Sequence, residues 1–196
     1  MEKNKLKFIS EIASTHNGNI DVVKKLTDNH LNSKSNYIKY QIFDPNNLIF
    51  FKEKNFNKFK KIFIPFNEWE KIINKYSGKT KIILEIFDEK SYNFAEKFKK
   101  KVLLKISCSE ADNLKLINKA IKNFKKIFIN FSGFEKKEFS KILNKIKNKK
   151  KIVVLYGFQS YPSDSKDLRF EIFDFLKKKK IEYGFSDHSR YGFNDE

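Results

Sequence analysis

Lys81-Ile82-Ile83-Leu84-Glu85 is a short apolar run that gives way to a carboxylate. Six other runs have this form: Lys7–Ser10, Tyr37–Lys39, Val102–Leu104, Ile127–Ile129, Ile152–Leu155 and Tyr183–Phe185. At or just beyond their ends lie Glu11, Lys39 with Gln41, Glu85, Lys105, Asn130, Tyr156 with Gln159, and Ser186-Asp187-His188. Apolar runs of this length, alternating with amphipathic stretches, predict βα units and a parallel sheet. In a (β/α) barrel the active site gathers at the carboxyl ends of the strands, where this chain concentrates its Lys, Glu and His. A plain alternative is that any strand meets polar residues on leaving the core. An open doubly wound sheet is the alternative architecture.

The spacing predicts helices over 21–30, 67–76, 89–100, 113–122, 136–148 and 167–179. An aromatic region runs from Phe50 to Phe66. The expected fold class is therefore α/β, a (β/α)8 TIM barrel truncated after strand seven. Its 196 residues fall short of the ~250 typical of that barrel. The sequence ends at Phe193-Asn194-Asp195-Glu196, directly after its most chemical motif. An unclosed barrel leaves two strand edges uncovered, so residues 1–196 are expected to be an incomplete barrel domain, poorly folded and inactive alone.

With 40% hydrophobic residues the chain carries enough apolar side chains for a core. Its one cysteine, Cys108, excludes an internal disulfide framework and fits a reducing compartment. No apolar stretch approaches the ~18 residues that span a membrane, and strand one follows the N-terminus too soon for a signal peptide. A cytoplasmic protein is expected, with no membrane partner. The net charge of +18 comes almost wholly from Lys spread over every helical segment. Arg169 and Arg190 are the two arginines, although Arg is the residue suited to bidentate phosphate and base contacts. Nucleic acid is thus not the expected partner, and abundant Lys, Asn, Ile and Phe fit the coding bias of an AT-rich genome.

Lys39 and Lys105 each put a cation at a strand's carboxyl end. Pointing into one mouth they would clamp a phosphate or carboxylate; otherwise they are solvated surface charges. His188 reads as a metal ligand, a general base or a hydrogen-bonded structural residue. Among the remaining histidines, His16 lies in the first βα loop on the same face, and His30 reads as structural. Glu11 and Glu110 are candidate acid/base or hydroxyl-binding carboxylates, and Cys108 reads as a packing residue.

Six segments, in order, resemble the sialic acid synthases, which condense phosphoenolpyruvate with an N-acetylated hexosamine. They are Ser10-Glu11-Ile12-Ala13-Ser14-Thr15-His16-Asn17-Gly18, Ile38-Lys39-Tyr40-Gln41, Leu104-Lys105-Ile106-Ser107, Ser109-Glu110-Ala111-Asp112-Asn113-Leu114, Gln159-Ser160-Tyr161-Pro162 and Gly184-Phe185-Ser186-Asp187-His188-Ser189. The resemblance implies a (β/α)8 barrel, a divalent metal (Mn2+ or Mg2+) and carbon–carbon bond formation to a nonulosonic acid with release of phosphate. N-acetylmannosamine or a relative would be the sugar, and the full-length enzyme a homodimer.

Carried over by position, Lys39, Lys105 and Ser186 would hold phosphoenolpyruvate, and His188 would be a metal ligand. Glu11, Gln41, Glu110, Gln159 and Tyr161 would line the sugar and water side, with Glu11 and Glu110 as the catalytic carboxylates. Glu85 stands where the family has a small hydroxyl residue, and a carboxylate beside a phosphate would repel it. That departure suggests another substrate arrangement, or a protonated or metal-facing Glu85. A second metal-binding His is expected about twenty residues after His188 and is absent from the sequence, as is the family's C-terminal antifreeze-like domain. The other readings are an inactive remnant that binds an acidic ligand, a partner or a polyanion through its basic surface, and an aldolase-like barrel with a Schiff-base lysine at Lys105.

Overall fold

The computed structural model describes residues 6–48, 54–158, 160 and 162–189. The strands are β1 (Ile9–Glu11), β2 (Tyr37–Ile42), β3 (Lys81–Ile86), β4 (Val102–Ile106), β5 (Ile127–Asn130), β6 (Ile152–Gly157) and β7 (Glu182–Ser186). Among the described residues eight α-helices separate them: α1 (Ile20–Leu31), α2 (Pro45–Leu48), α3 (Phe56–Ile62), α4 (Phe66–Tyr76), α5 (Glu89–Lys97), α6 (Leu114–Asn123), α7 (Lys136–Lys145) and α8 (Glu171–Lys178). Strand order follows the sequence from β1 to β7, and β1–β2, β2–β3, β5–β6 and β6–β7 pair in parallel. The chain divides into two compact units, Met1–Leu104 and Lys105–Glu196.

In the first unit, β2 and β3 are buried along almost their whole length, as parallel strands covered on both faces are. Successive side chains alternate between faces. On the helix-facing side Tyr40 meets Trp69 of α4 at a ring separation of 5.3 Å. The stripe Trp69, Ile72, Ile73 and Tyr76 gives α4 its buried face, each large side chain contributing about 1.5–3 kcal/mol. Polar groups inside this layer are paired: Tyr40 shares a 2.8 Å hydrogen bond with Thr27, and the Tyr76 hydroxyl donates to Asp28. Asn19 caps α1 by accepting from the amides of Asp21 and Val22. Asp88 and Ser91 form a reciprocal capping box at α5.

Phe43, just past β2, sits edge-on to Phe59 and Phe87 and tilted against Phe63. Residues 54–65 of the aromatic region thus fold as α3 and its flanks, although the sequence pattern drew no helix there. α5 and α7 stop three residues earlier than their patterns predict. Phe98 and Ile146 leave the helices as buried side chains, and Ile146 takes an extended ψ of 122°. Tertiary burial outweighs the local helical preference at both positions.

The second unit buries β5 and β6 completely. Phe131 packs against Phe134 and Phe139, and Phe139 against Phe175. β7 is more open: Tyr183 and Phe185 are exposed and stack with Phe173 and Phe170 from the α8 region.

Candidate functional site

The strands run further than the sequence pattern drew them. Glu11, Asn130 and Ser186 end their strands, Gln41, Glu85, Lys105 and Tyr156 are the last but one, and Lys39 lies in the middle of β2. Their side chains therefore take fixed sides of the sheet.

In the first unit, register places Glu11 beside Lys39 and Gln41 beside Glu85. Lys39 and Gln41 are two residues apart and share a face, opposite the one Tyr40 uses. Lys39 Nζ lies 2.6 Å from Glu11 Oε1 and 2.5 Å from Glu85 Oε2. Gln41 Nε2 donates to the same two oxygens, at 3.1 and 3.4 Å. Burial disfavours the ammonium, but the charges of Glu85 and Glu11 and their hydrogen bonds outweigh it and hold Lys39 well above the usual lysine range. This lysine is neither a solvated surface charge nor a general base.

The preceding loop is held by its own residues. Ala13 and Asn17 adopt left-handed φ values of 47°, and Gly18 has φ 79°. His16 is buried at 3% exposure. Its Nδ1 accepts from the Gly18 amide and its ring stands edge-on to Trp69. Burial lowers its pKa, partly offset by a backbone hydrogen bond with Ala13. His16 thus organises the loop. His30 bridges Ser10 and Thr80, the structural role its position predicts.

In the second unit, Lys105 is buried at 4% exposure, and Ser107 just beyond β4 at 3%. Ser107 shares a 2.6 Å hydrogen bond with Ser109. Asn130 Oδ1 accepts from both the amide and the hydroxyl of Ser132, and the Cys108 thiol donates to the Ser132 carbonyl, joining the ends of β4 and β5. Cys108 is therefore a packing and linking residue. Glu110 accepts from Asn113 Nδ2 at 2.8 Å, beside the Asn113 cap of α6. Ser186 ends β7 with its carbonyl against Gly157.

The carbonyl of Phe158 accepts from His188 Nδ1 at 2.8 Å, so that nitrogen carries the proton and Nε2 is the basic one. This is the orientation a metal-ligating imidazole needs. Ser163 tightens the turn by donating its amide to the His188 carbonyl and its hydroxyl to the Ser160 carbonyl. Among the described residues no three His, Cys, Asp or Glu side chains gather as a metal ion requires. They supply one suitably turned donor of the three a catalytic metal wants, and the metal set is not complete in them. Gln159 and Tyr161 lie outside the described residues.

Sequence reasoning named every strand-end residue but missed how Lys39, Glu11, Glu85 and Gln41 bond to one another. The available signal was the period of two: continued past Lys39 and Leu84, it puts Gln41 and Glu85 on the face of Lys39. No described helix is long and apolar enough to cross a membrane.

Parallel strands in sequence order, helices between them and chemistry at the carboxyl ends define an α/β chain of the (β/α)8 barrel class, here with seven strands. Residues 12–194 match the NeuB family model, and the chain belongs to the NeuB family. No curated protein matches. Among solved structures, an N-acetylneuraminic acid synthetase from Leptospira borgpetersenii, in complex with citrate, is similar with a TM-score of 0.85 and 22% identity. The match covers 95% of this chain and 66% of that one. Spore coat polysaccharide biosynthesis proteins are similar too: one from Bacillus subtilis (TM-score 0.79, 18% identity, 95% of this chain, 54% of that one) and a putative one from Chromobacterium violaceum (0.76, 18%, 95% and 60%). The chain thus spans between 54% and 66% of the length of these three, and at such identities the likeness establishes the shared fold.

Proposed function

We propose that this chain carries the phosphoenolpyruvate-binding strand ends of a sugar-acid synthase, which joins phosphoenolpyruvate to an N-acetylated hexosamine such as N-acetylmannosamine. The enol carbon attacks the open-chain aldehyde carbon of the sugar. Water adds to the carbon bearing the phosphate ester, that C–O bond breaks, and phosphate leaves with a nonulosonic acid as the second product.

Family membership and one structural observation support this reading. Lys105 is an almost fully buried lysine at the end of a parallel strand, followed by the buried hydroxyl of Ser107. A lysine is rarely buried unless it is paired, and a cation with nearby hydroxyl donors suits a phosphate or carboxylate. Ser186 supplies a further hydroxyl at the end of β7, and Glu110 the carboxylate for proton transfer. Glu11 and Gln41 offer acceptors to sugar hydroxyls. His188 is turned as a ligand to a divalent metal would be, although the described donors do not by themselves complete a metal set.

Calorimetric titration with phosphoenolpyruvate tests this reading. Saturable binding, weakened at least tenfold in Lys105→Ala, is expected. Absence of binding, or equal affinity in Lys105→Ala, would overturn it.

A further inference from the structure

In the second unit, the connections that lead into the strands carry one sign of charge. Those before β5, β6 and β7 read Phe124-Lys125-Lys126, Ile146-Lys147-Asn148-Lys149-Lys150-Lys151 and Lys179-Lys180-Ile181, with eight lysines and no Asp or Glu. The connections that leave β4 and β5 carry the opposite sign: Glu110 and Asp112 in the first, Glu135 in the second, and no Lys or Arg in either. After β6, Lys166 and Arg169 are each paired with a carboxylate, Asp164 and Glu135.

A coding bias raises lysine everywhere and does not sort it by connection. Helix dipoles favour cations near helix carboxyl ends, within the last turn, and part of the lysine set serves in this way. Lys149 Nζ donates to the Ile146 carbonyl at 2.9 Å, and Lys151 Nζ to those of Ile121 and Phe124 at 2.7 and 3.2 Å. Lys126 neutralises Glu182, the first residue of β7, at 2.5 Å. Lys125, Lys147, Lys150, Lys179 and Lys180 stand exposed, Lys179 with its ammonium 5.8 Å from the Phe175 ring centroid.

β5, β6 and β7 are neighbours in one sheet. Register sets Ile127 beside Ile152 and Val153 beside Glu182. The three strands therefore begin within one residue of a common level, about 5 Å apart, and their lysine connections form a flat band. Its apolar members, Phe124, Ile146 and Ile181, are buried, so the band offers no ring to stack on a base and no apolar wedge. A lysine ammonium is a hydrated point charge without the directional fork of arginine. Such a band suits charges that lie in a plane and ask for no directional contact, as anionic phospholipid headgroups do. A nucleic-acid duplex is convex and is read by side chains inserted into its grooves.

We propose that the amino ends of β5, β6 and β7 dock on an anionic phospholipid surface through Lys125, Lys147, Lys150, Lys179 and Lys180. The carboxyl ends of these strands then face away from the bilayer and stay open to solvent. The contact is peripheral, so it needs no membrane-spanning helix, and it runs against the expectation of no membrane partner. It does not depend on the reaction proposed above.

The test is co-sedimentation with vesicles of phosphatidylcholine alone and of phosphatidylcholine and phosphatidylserine in equal parts. At about 0.1 M salt, where charges act over about 10 Å, wild type is expected to bind the mixed vesicles and not the neutral ones. At about 1 M salt, where that range falls to about 3 Å, binding is expected to vanish. Each lysine close to an anionic leaflet strengthens binding about fivefold. Changing all five lysines to Gln is therefore expected to weaken binding at least about tenfold. A control carries the same charge change on exposed helix lysines elsewhere, with Lys25, Lys58, Lys60, Lys115 and Lys141 all changed to Gln; it is expected to lose less than about threefold. Circular dichroism checks that both variants fold. Failure of wild type to bind the mixed vesicles, or an equal loss in the control, would overturn the proposal. Tighter binding to a mixed-sequence DNA duplex than to the vesicles, lost in the same five-lysine variant, would assign the band to nucleic acid and overturn it too.

Discussion

Replacing Lys39 by Met is the sharpest perturbation of the first unit. It removes the ammonium that pairs with both Glu11 and Glu85 while keeping an unbranched apolar stem. The Glu11 side chain is 38% exposed and can be rehydrated, so its lost pair counts for about 0–1 kcal/mol. Glu85 is 4% exposed and cannot. Removing one partner of a buried pair costs about 3–5 kcal/mol. Glu85 therefore accounts for most of the loss. With a urea m-value of about 2 kcal/mol/M, the unfolding midpoint of Lys39→Met falls by about 1.5–2.5 M at pH 7.

Two controls separate charge from packing. In Lys39→Met/Glu85→Met the buried charge is gone as well, and most of the loss is recovered, since apolar replacement of a buried pair is often neutral or stabilising. The Lys39→Met deficit also shrinks from pH 8 to pH 5. A buried carboxylate that loses a neighbouring cation titrates higher than before, so the folded variant gains stability relative to wild type as that carboxyl takes up its proton. A Lys39→Met midpoint within 0.5 M of wild type, or a double variant as unstable as the single, would refute this account of the ion pairs.

Gly157→Ala would place a methyl 2.1 Å from the Ser186 carbonyl oxygen, where backbone must move; the expected result is a Tm lowered by several degrees, with loss of amide protection in β6 and β7 by hydrogen exchange. Gly18→Ala meets the Lys61 carbonyl oxygen at 2.3 Å and must also hold φ at +79°; it is expected to lower the urea midpoint, more than Gly78→Ala, where the added methyl meets nothing within 4 Å. Burial lowers the pKa of both His16 and His30, so the unfolded chain binds more protons once pH drops below about 6.5. Stability should be flat above that pH and fall as pH is lowered from 6.5 towards 5.5. Equal urea midpoints at pH 7.5 and 5.5 would contradict it.

Much of this arrangement can be read from the chain, and the parts that cannot have physical causes. The strand count and order follow from short apolar runs such as Ile82–Leu84 between amphipathic helices, a strong pattern because parallel strands are buried on both faces. Strand ends are harder to read. Glu85 looks like the start of a loop because isolated charges rarely enter a core, yet it lies within β3 and is buried against the Lys39 ammonium. His16 looks like a face residue from its place in the first βα loop. Two left-handed residues, Ala13 and Asn17, instead fold the loop so that the ring is buried against Trp69, and backbone of that kind leaves little trace in composition. The roles proposed for Lys105, Ser186 and His188 rest on position and resemblance.

Mapping phosphoenolpyruvate onto the backbone amides by 15N–1H correlation spectra tests the central claim most directly. The account predicts shifts at Lys105–Asn113, Asn130–Gly133 and Gly184–Ser189. Shifts absent from these strand ends, or spread over the lysine-rich helices α6 to α8, would contradict it.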